Sequence, residues 1–306
     1  MDIKLNQTPT RYQQDCYYRG SWFQLIRPLT LTGTLTPILV GTGFAAKNGP
    51  VRLDIFIAFL LSALFIQATT NMLNDYFDFK NGQDQEKWMT VTNDDIPHGP
   101  PYRYIPYVVG VMLTIAISIG LWLAFASTLW IIPIGVVSII AGIKYSAGTH
   151  SFSAIGMGET IAFLFLGMVV PTLAYLVQGN PLSMDIIAIS LPFGLIIAAM
   201  ILTNNIRDEK KDNNFRKTVA MMLGRTMAVK LLFSLLFLAY VSIILLIFTD
   251  VLPVTTIMVF FASPIAAKLL YSYRKRATRI EEMNGMKLAA LHHWIFGLCF
   301  ALGIWI

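Results

Sequence analysis

Long apolar runs separated by short polar segments dominate the chain. Most of these runs lack the polar stripe that marks a helix at the surface of a soluble protein. A helix that crosses the hydrocarbon core of a bilayer needs about 20 mostly apolar residues, which is the length of a typical run here. The runs lie at about 28–46, 53–77, 104–127, 129–146, 154–178, 184–206, 226–248, 251–272 and 288–306. The pattern predicts an all-α integral membrane protein, with about nine transmembrane helices in one bundle that forms a single domain over residues 1–306.

The composition agrees with this class of protein. The 306 residues are 56% hydrophobic and 13% charged, whereas a soluble domain carries about 25% charged residues. Residues 1–20 are polar and show no apolar core before a cleavage site, so we expect a cytoplasmic N-terminal segment and no signal peptide. Cys16 and Cys299 form neither a disulfide framework nor a metal-ligand spacing, and we expect both to be thiols of no special role.

The basic residues predict the orientation of the chain. Cytoplasmic loops of membrane proteins are enriched in Lys and Arg. With the N-terminus inside and nine crossings, all 23 basic residues except Lys47 and Arg52 fall on the cytoplasmic side. The C-terminus is then outside, and the protein is expected to be a multi-pass protein of the cytoplasmic membrane. The net charge of +6 lies on one face, which suits a lipid bilayer and an anionic substrate and gives no reason to expect a nucleic acid.

Two polar motifs stand at the ends of the second and sixth apolar runs. The first is Asn71-Met-Leu-Asn74-Asp75-Tyr-Phe-Asp78, followed by Gly82 and Asp84. The second is Asn204-Asn205-Ile-Arg207-Asp208-Glu-Lys-Lys211-Asp212. In both, an amide precedes a carboxylate by four residues, which places the two on one side of a helix. Because both runs cross the membrane in the same direction, we expect the motifs to face each other at the cytoplasmic edge.

Carboxylates at a membrane edge are costly and usually mark function. Their oxygens are hard ligands that suit Mg²⁺, which prefers one or two carboxylates together with the phosphate oxygens of a substrate. A diphosphate leaving group needs this neutralisation of charge. The alternative is that the motifs are solvated polar residues at helix ends. Their duplication on one face favours a magnesium and diphosphate site.

These motifs, on nine apolar runs, resemble the UbiA superfamily of membrane prenyltransferases. The likeness is greatest to the MenA branch, the 1,4-dihydroxy-2-naphthoate prenyltransferases of menaquinone synthesis. It extends to Arg27-Pro28-Leu-Thr-Leu, Gly156-Met-Gly158-Glu159 and Leu223-Gly224-Arg225. The chain departs from the family pattern in two places. Arg216-Lys217-Thr218 stands where Gly-Lys usually precedes the Thr, and Gln85 to Pro101, with Asp94, Asp95 and His98, replaces a glycine-rich stretch.

The resemblance implies Mg²⁺-dependent transfer of a polyprenyl group from polyprenyl diphosphate to an aromatic acceptor, with 1,4-dihydroxy-2-naphthoate losing CO₂ in the reaction. The implied catalytic residues are Asp75, Asp78, Asp208 and Asp212, which with Asp84 would also bind the metal. The implied substrate-binding residues are Asn71, Asn74, Asn204, Asn205, Arg207, Lys211, Lys217, Tyr145, Arg27 and Glu159.

Other interpretations of some of these residues stay open. The cations around the second motif, Arg216 and Arg225 among them, could be ordinary loop charge on the inner side, and Tyr145 could be an interfacial anchor. His292 and His293 lack further ligands at metal spacing, so packing or interhelical hydrogen bonding is expected for them.

Two other functions also remain open. The acceptor could be 4-hydroxybenzoate, another phenol or a porphyrin-type ring, because the motifs serve the diphosphate that all branches share. A secondary transporter would also have many helices and buried acids, but its site would lie near the bilayer midplane on broken helices. No feature of the sequence fixes the prenyl chain length or the oligomeric state.

Overall fold

The structure is a computed structural model that describes residues 15–90, 99–148, 150–213 and 215–306. Its helices are α1 (Trp22–Ile26), α2 (Thr32–Ala45), α3 (Leu53–Lys80), α4 (Ile105–Ala126), α5 (Ile131–Ser146), α6 (Gly158–Leu176), α7 (Met184–Asp212), α8 (Val219–Leu223), α9 (Arg225–Phe248), α10 (Val254–Tyr271) and α11 (Arg279–Trp305). Two short strands, β1 (Cys16–Tyr18) and β2 (Trp88–Thr90), pair in antiparallel fashion at one end of the bundle.

Each predicted apolar run coincides with a helix. Within the described ranges, seven helices are long and apolar enough to cross a membrane, namely α3, α4, α6, α7, α9, α10 and α11. The helix α5 is apolar but has only 16 residues, and α2 has 14. The expectation of an all-α membrane protein is confirmed.

Three helices extend past the apolar runs that predict them. Helix α3 continues to Lys80 and α7 continues to Asp212, so both polar motifs lie on continuous helices rather than in loops. Helix α11 begins at Arg279 rather than at 288, because Thr278 and Glu281 form a reciprocal capping box at its start. Polar turns of this kind carry no hydropathy signal, which is why the sequence pattern ends too early.

Helix α7 is the centre of the packing. Its apolar side chains, such as Phe193, form the main core with α9, α10 and α11. On its other side α7 meets α6 so closely that a Cβ on Gly167 would lie 2.2 Å from the Cα of Gly194. Small residues commonly allow helices in membranes to approach in this way.

The candidate site lies between two groups of helices that both contact α2. Helix α3 packs along α4 and also contacts α5 and α2, while α2 contacts α6 and α11. Helix α6 contains a π-helical stretch at Phe163–Val169, a rare conformation that is frequent at functional sites. Phe165, Leu166 and Val169 of this stretch line an internal cavity, so the widened turn shapes its wall.

Candidate active site

The C-terminal ends of α3 and α7 meet at one end of the bundle. Lys211, near the end of α7, donates to Glu86 at 2.6 Å and to Asp84, both of which follow α3. Arg216, which follows α7, donates to Asp78 on α3. The structure therefore brings the two motifs together, as their spacing and direction predict.

A cavity of about 340 Å³ begins at this polar end and continues between α3, α5, α6 and α7. Its polar lining includes Arg27, Gln67, Asn71, Asn74, Tyr145, Asn204, Asn205 and Arg216. Farther from the motifs its walls are apolar and include Phe59, Leu123 and Leu173. Since a helix rises 1.5 Å per residue, the cavity follows α3 for roughly 22 Å between Asn74 and Phe59.

Asp75 is fully buried and is paired with two cations. Arg27 donates to its Oδ1 at 2.7 Å and to its Oδ2 at 3.3 Å, and Lys87 donates to Oδ1 at 2.7 Å. Burial alone would lower the pKa of Arg27, but the carboxylate of Asp75 raises it, so the guanidinium stays charged. Arg27 also has a φ of 58°, a left-handed conformation that non-glycine residues adopt rarely and that is frequent at functional sites.

Asp78 lies one helical turn later and is only 6% exposed. Its partner Arg216 also donates through Nε to Gln83 at 3.0 Å. Burial disfavours the charged form of Arg216, but the carboxylates of Asp78 and Asp212 more than compensate and raise its pKa. Arg216 is absent from the predicted site residues. The sequence signal that could have identified Arg216 is its departure from the family pattern, because arginine occupies a position where glycine is usual.

Asp84 follows α3 with a φ of 51° and binds two ammonium groups, those of Lys87 at 2.6 Å and of Lys211. Burial raises the pKa of Asp84, but the two cations outweigh it and bring the value to about 2. The carboxylate is therefore charged throughout the physiological range.

The second motif is tied to α11. Arg207 pairs with Asp208 and donates to Oδ1 of Asn204 at 2.6 Å. Arg279, in the first turn of α11, lies 3.6 Å from Asp208. Asp212 is buried at the end of α7. All the predicted acids of both motifs thus lie in one region.

Three of the four motif amides bind neighbouring helices through their nitrogens. Asn71 donates to the carbonyl of Ile26 at 2.8 Å, and Asn74 donates to Ser146 at 2.9 Å. Asn205 donates to Oε1 of Glu159 at 2.9 Å. Because these nitrogens are engaged, Asn71, Asn74 and Asn205 present their carbonyl oxygens as the groups that can bind a cation, whereas the oxygen of Asn204 already accepts from Arg207.

The remaining candidates lie in different surroundings. Tyr145 lines the cavity, with its hydroxyl next to Gly158. Lys217 is exposed and donates its backbone N–H to Ala154 at 2.8 Å, so the structure places its neighbour Arg216 in the site instead. Nε2 of His292, on α11, lies 2.8 Å from the hydroxyl of Tyr240, on α9, and this hydrogen bond agrees with an interhelical role. Asp94, Asp95 and His98 lie outside the described residues.

The acids fit a magnesium ion that is held partly by its substrate. In the described part of the chain, no three His, Cys, Asp or Glu side chains form a ready-made metal site. Mg²⁺ at phosphate-binding sites needs only one or two carboxylates, because substrate phosphates complete its shell. Asp78, Asp84 and Asp212 are close enough to repel one another, which a cation would relieve. Asp75 and Asp84 fit less well, because cations already bind both oxygens of each.

Comparison with known proteins gives a consistent result. A sequence model of the UbiA prenyltransferase family matches residues 34–295. The 1,4-dihydroxy-2-naphthoate octaprenyltransferase of Bacillus subtilis is 30% identical over 283 residues, which are 92% of this chain and 91% of that protein. Two solved structures share the fold. The apo UbiA homolog from Aeropyrum pernix K1 has a TM-score of 0.66 at 12% identity, covering 89% of this chain and 97% of the other. A UbiA homolog from Archaeoglobus fulgidus bound to DMAPP and Mg²⁺ has a TM-score of 0.54 at 15% identity, covering 92% and 100%.

The pairing of Asp78 with Arg216 can be tested against the adjacent lysine. Arg216→Ala leaves a buried carboxylate without its partner, which costs about 3–5 kcal/mol. We expect the melting temperature of the detergent-solubilised protein to fall by more than about 5 °C. The matched control Lys217→Ala should leave it unchanged, because that side chain is exposed. Adding Asp78→Asn to Arg216→Ala should recover part of the loss. Equal melting of the two alanine variants would contradict the assignment.

Proposed function

This chain belongs to the UbiA prenyltransferase family and is an aromatic prenyltransferase, and we propose that it transfers a polyprenyl group from polyprenyl diphosphate to 1,4-dihydroxy-2-naphthoate, with loss of CO₂, in menaquinone synthesis. The observation that carries the proposal is the cavity, which joins a polar end lined by amides and by two arginines that pair with motif aspartates to a long apolar channel. Such a cavity matches a substrate with a charged diphosphate and a long hydrocarbon tail. The naphthoate is proposed because the Bacillus subtilis relative is named for that acceptor.

The diphosphate would lie between the two motifs. Mg²⁺ would be held there by the predicted ligands Asp75, Asp78, Asp84, Asp208 and Asp212. Asp78 and Asp212 are the best placed, because cations bind both oxygens of each of the other three. When bound, the ion would neutralise the negative charge that develops on the departing diphosphate. The protein's own cations, Arg27, Arg207, Lys211 and Arg216, offer charge-assisted hydrogen bonds to phosphate oxygens. Lys217 was also predicted to bind substrate, but its exposed position makes Arg216 the better candidate.

The amides and Tyr145 would position the reacting groups. Asn71, Asn74, Asn204 and Asn205 line the polar end of the cavity, and Glu159 fixes the orientation of Asn205. Tyr145 lines the same cavity, where its ring and hydroxyl suit contact with the acceptor ring. Positioning and stabilisation of charge are the main contributions that a protein makes to a transfer of this kind.

The reaction breaks two bonds and forms one. The C–O bond between the prenyl C1 and the diphosphate breaks, and its electron pair leaves with the diphosphate. The ring carbon that bears the carboxylate then forms a bond to C1. Loss of CO₂ returns the electron pair of the broken C–C bond to the ring and restores its aromaticity. The apolar wall excludes water, which protects the allylic cation from hydrolysis.

We also propose nine crossings, with the N-terminus and both motifs at the cytoplasmic face of the cell membrane and the C-terminus outside. This counts α2 and α5 as spans, although they are shorter than the hydrocarbon core. A bilayer accommodates short spans by local thinning. The proposal is supported by the basic residues, which then lie inside except for Lys47 and Arg52.

The first test concerns the acceptor and the metal. With polyprenyl diphosphate, Mg²⁺ and naphthoate labelled in its carboxylate, we expect labelled CO₂ to appear in step with the prenylated product. Excess EDTA should abolish turnover, and Asp78→Ala should nearly do so. Prenylation of 4-hydroxybenzoate with no reaction of the naphthoate would show that the branch is wrongly assigned. Full activity in EDTA would refute the metal.

A second test concerns the prenyl tail. Gly135 lines the apolar part of the cavity, and a Cβ there would meet open space. Gly135→Phe should fill the channel and lower kcat/KM for a long polyprenyl diphosphate by about tenfold, while geranyl diphosphate is affected less. Gly110→Phe is the matched control, since Gly110 also faces open space but lies outside the cavity lining. An equal loss for both donors would argue against a tail along α3.

A third test concerns orientation. In a background without Cys16 and Cys299, single cysteines at Asn81, Asn213 and Gly49 all occupy exposed positions. A membrane-impermeant thiol reagent should label Asn81→Cys and Asn213→Cys only from the cytoplasmic side and Gly49→Cys only from outside. Labelling of the first two from opposite sides would disprove the proposed topology.

A further inference from the structure

We propose that the N-terminal strand and Trp88 form a strap that positions Lys87 in the active site, where its ammonium group binds the donor diphosphate. The strap is defined here as β1 with the following Arg19, together with β2. The proposal rests on the proposed function, because it assumes a diphosphate substrate. It assigns a role to the described part of the segment from Gln85 to Pro101, which departs from the family pattern.

The strap begins with backbone pairing across a wide separation in sequence. In the antiparallel ladder Cys16 lies opposite Thr90 and Tyr18 lies opposite Trp88. The N–H of Arg19 donates to the carbonyl of Lys87 at 2.8 Å. The N–H of Tyr18 donates to the carbonyl of Pro100 at 2.9 Å. The N-terminal segment thus holds the chain on both sides of the loop that follows α3.

Trp88 anchors the strap to the bundle. Its side chain is buried, and it stacks on Phe79 of α3 with ring centroids 4.6 Å apart. Tyr102 and Tyr18 meet its ring edge-on, each at 5.4 Å. Aromatic pairs at these distances add to the stability of the packing beyond the area they bury. Because Phe79 lies next to the first motif, the cluster ties the strap to the helix that carries Asp75 and Asp78.

Lys87 directly precedes this anchor and points into the site. Its Nζ lies 2.7 Å from Asp75 and 2.6 Å from Asp84. The two carboxylates flank the ammonium group and hold its position. An ammonium group has three donors. Among the described residues, the carboxylates use two of these donors, which leaves one for a phosphate oxygen.

The anchor has a clear consequence for binding. A lysine side chain is flexible and loses conformational entropy when a ligand immobilises it. The carboxylates and the strap together hold Lys87 in place before the donor arrives. Loss of Trp88 should therefore weaken donor binding even though the indole touches neither the substrate nor the acids.

The test is a double-mutant cycle in the full-length protein. We expect Lys87→Ala to raise KM for polyprenyl diphosphate by about tenfold, the cost of one hydrogen bond to a charged group. Trp88→Ala should raise it by a similar factor, and Trp88→Phe should restore much of the loss. In the Lys87→Ala background, Trp88→Ala should add little, because its effect acts through the lysine. The control is Trp130→Ala, an exposed tryptophan outside the strap, which should leave KM unchanged.

A second readout does not depend on turnover. Cys16 is 2% exposed and lies 3.8 Å from the Thr90 hydroxyl, so it reports opening of the strap. In a Cys299→Ser background, inorganic diphosphate with Mg²⁺ should slow maleimide labelling of Cys16 several-fold, and Lys87→Ala should remove this protection.

The outcomes separate the two proposals. The strap proposal would be overturned if the two alanine variants raised KM independently, so that their effects multiplied, or if diphosphate did not change the labelling rate of Cys16. In either case, turnover of prenyl diphosphate would still support the proposed function. Both proposals would be overturned if the wild-type protein did not turn over prenyl diphosphate and if diphosphate did not protect Cys16 from labelling.

Discussion

The need to neutralise carboxylates at the end of an apolar bundle organises the functional end of this molecule. A buried charge without a partner costs several kcal/mol, and both Asp75 and Asp78 are buried. Their partners come from distant parts of the chain. Arg27 precedes α2, Lys87 follows α3, and Arg216 follows α7. One turn of α3 therefore fixes the positions of three polar segments, and these segments form the wall of the site.

The same pairing prepares the site for its ligands. Cations that neutralise acids in the free protein are also the groups that phosphate oxygens prefer. A diphosphate that arrives with a divalent cation brings charges of both signs, so the acids and bases can each find a new partner. The channel beside them is mostly apolar and carries only neutral polar groups, such as the hydroxyls of Ser62 and Ser138. Charge balance at one end and exclusion of water along the rest are thus two consequences of placing the motifs at the membrane edge.

The fold could largely be predicted from sequence, because lipid imposes a length on every apolar run. The meeting of the two motifs also followed from the parity of the helices. The ends of α3, α7 and α11 did not, since polar helical turns look like loops. Arg216 and Lys87 could not be distinguished from ordinary loop charge. Sequence also carries no signal for which of the neighbours Arg216 and Lys217 faces the cavity. Backbone direction decides this, and here Lys217 is exposed with its N–H bound to Ala154, whereas Arg216 lines the cavity. Strand β1 has three residues and pairs with a distant partner, so its sequence carries no local signal.

The two aspartates of the first motif show how context divides a shared chemistry. Asp75 and Asp78 are one turn apart on the same helix. Both oxygens of Asp75 accept hydrogen bonds from Arg27 or Lys87, and the residue is 0% exposed. In the described part of the chain Asp78 pairs with a cation through Oδ1 alone. An oxygen that already binds two cations gains little from a metal, whereas a carboxylate with one engaged oxygen can still offer the other. The geometry therefore suits Asp75 to holding Arg27 and Lys87 in position, and Asp78 to facing the ligand.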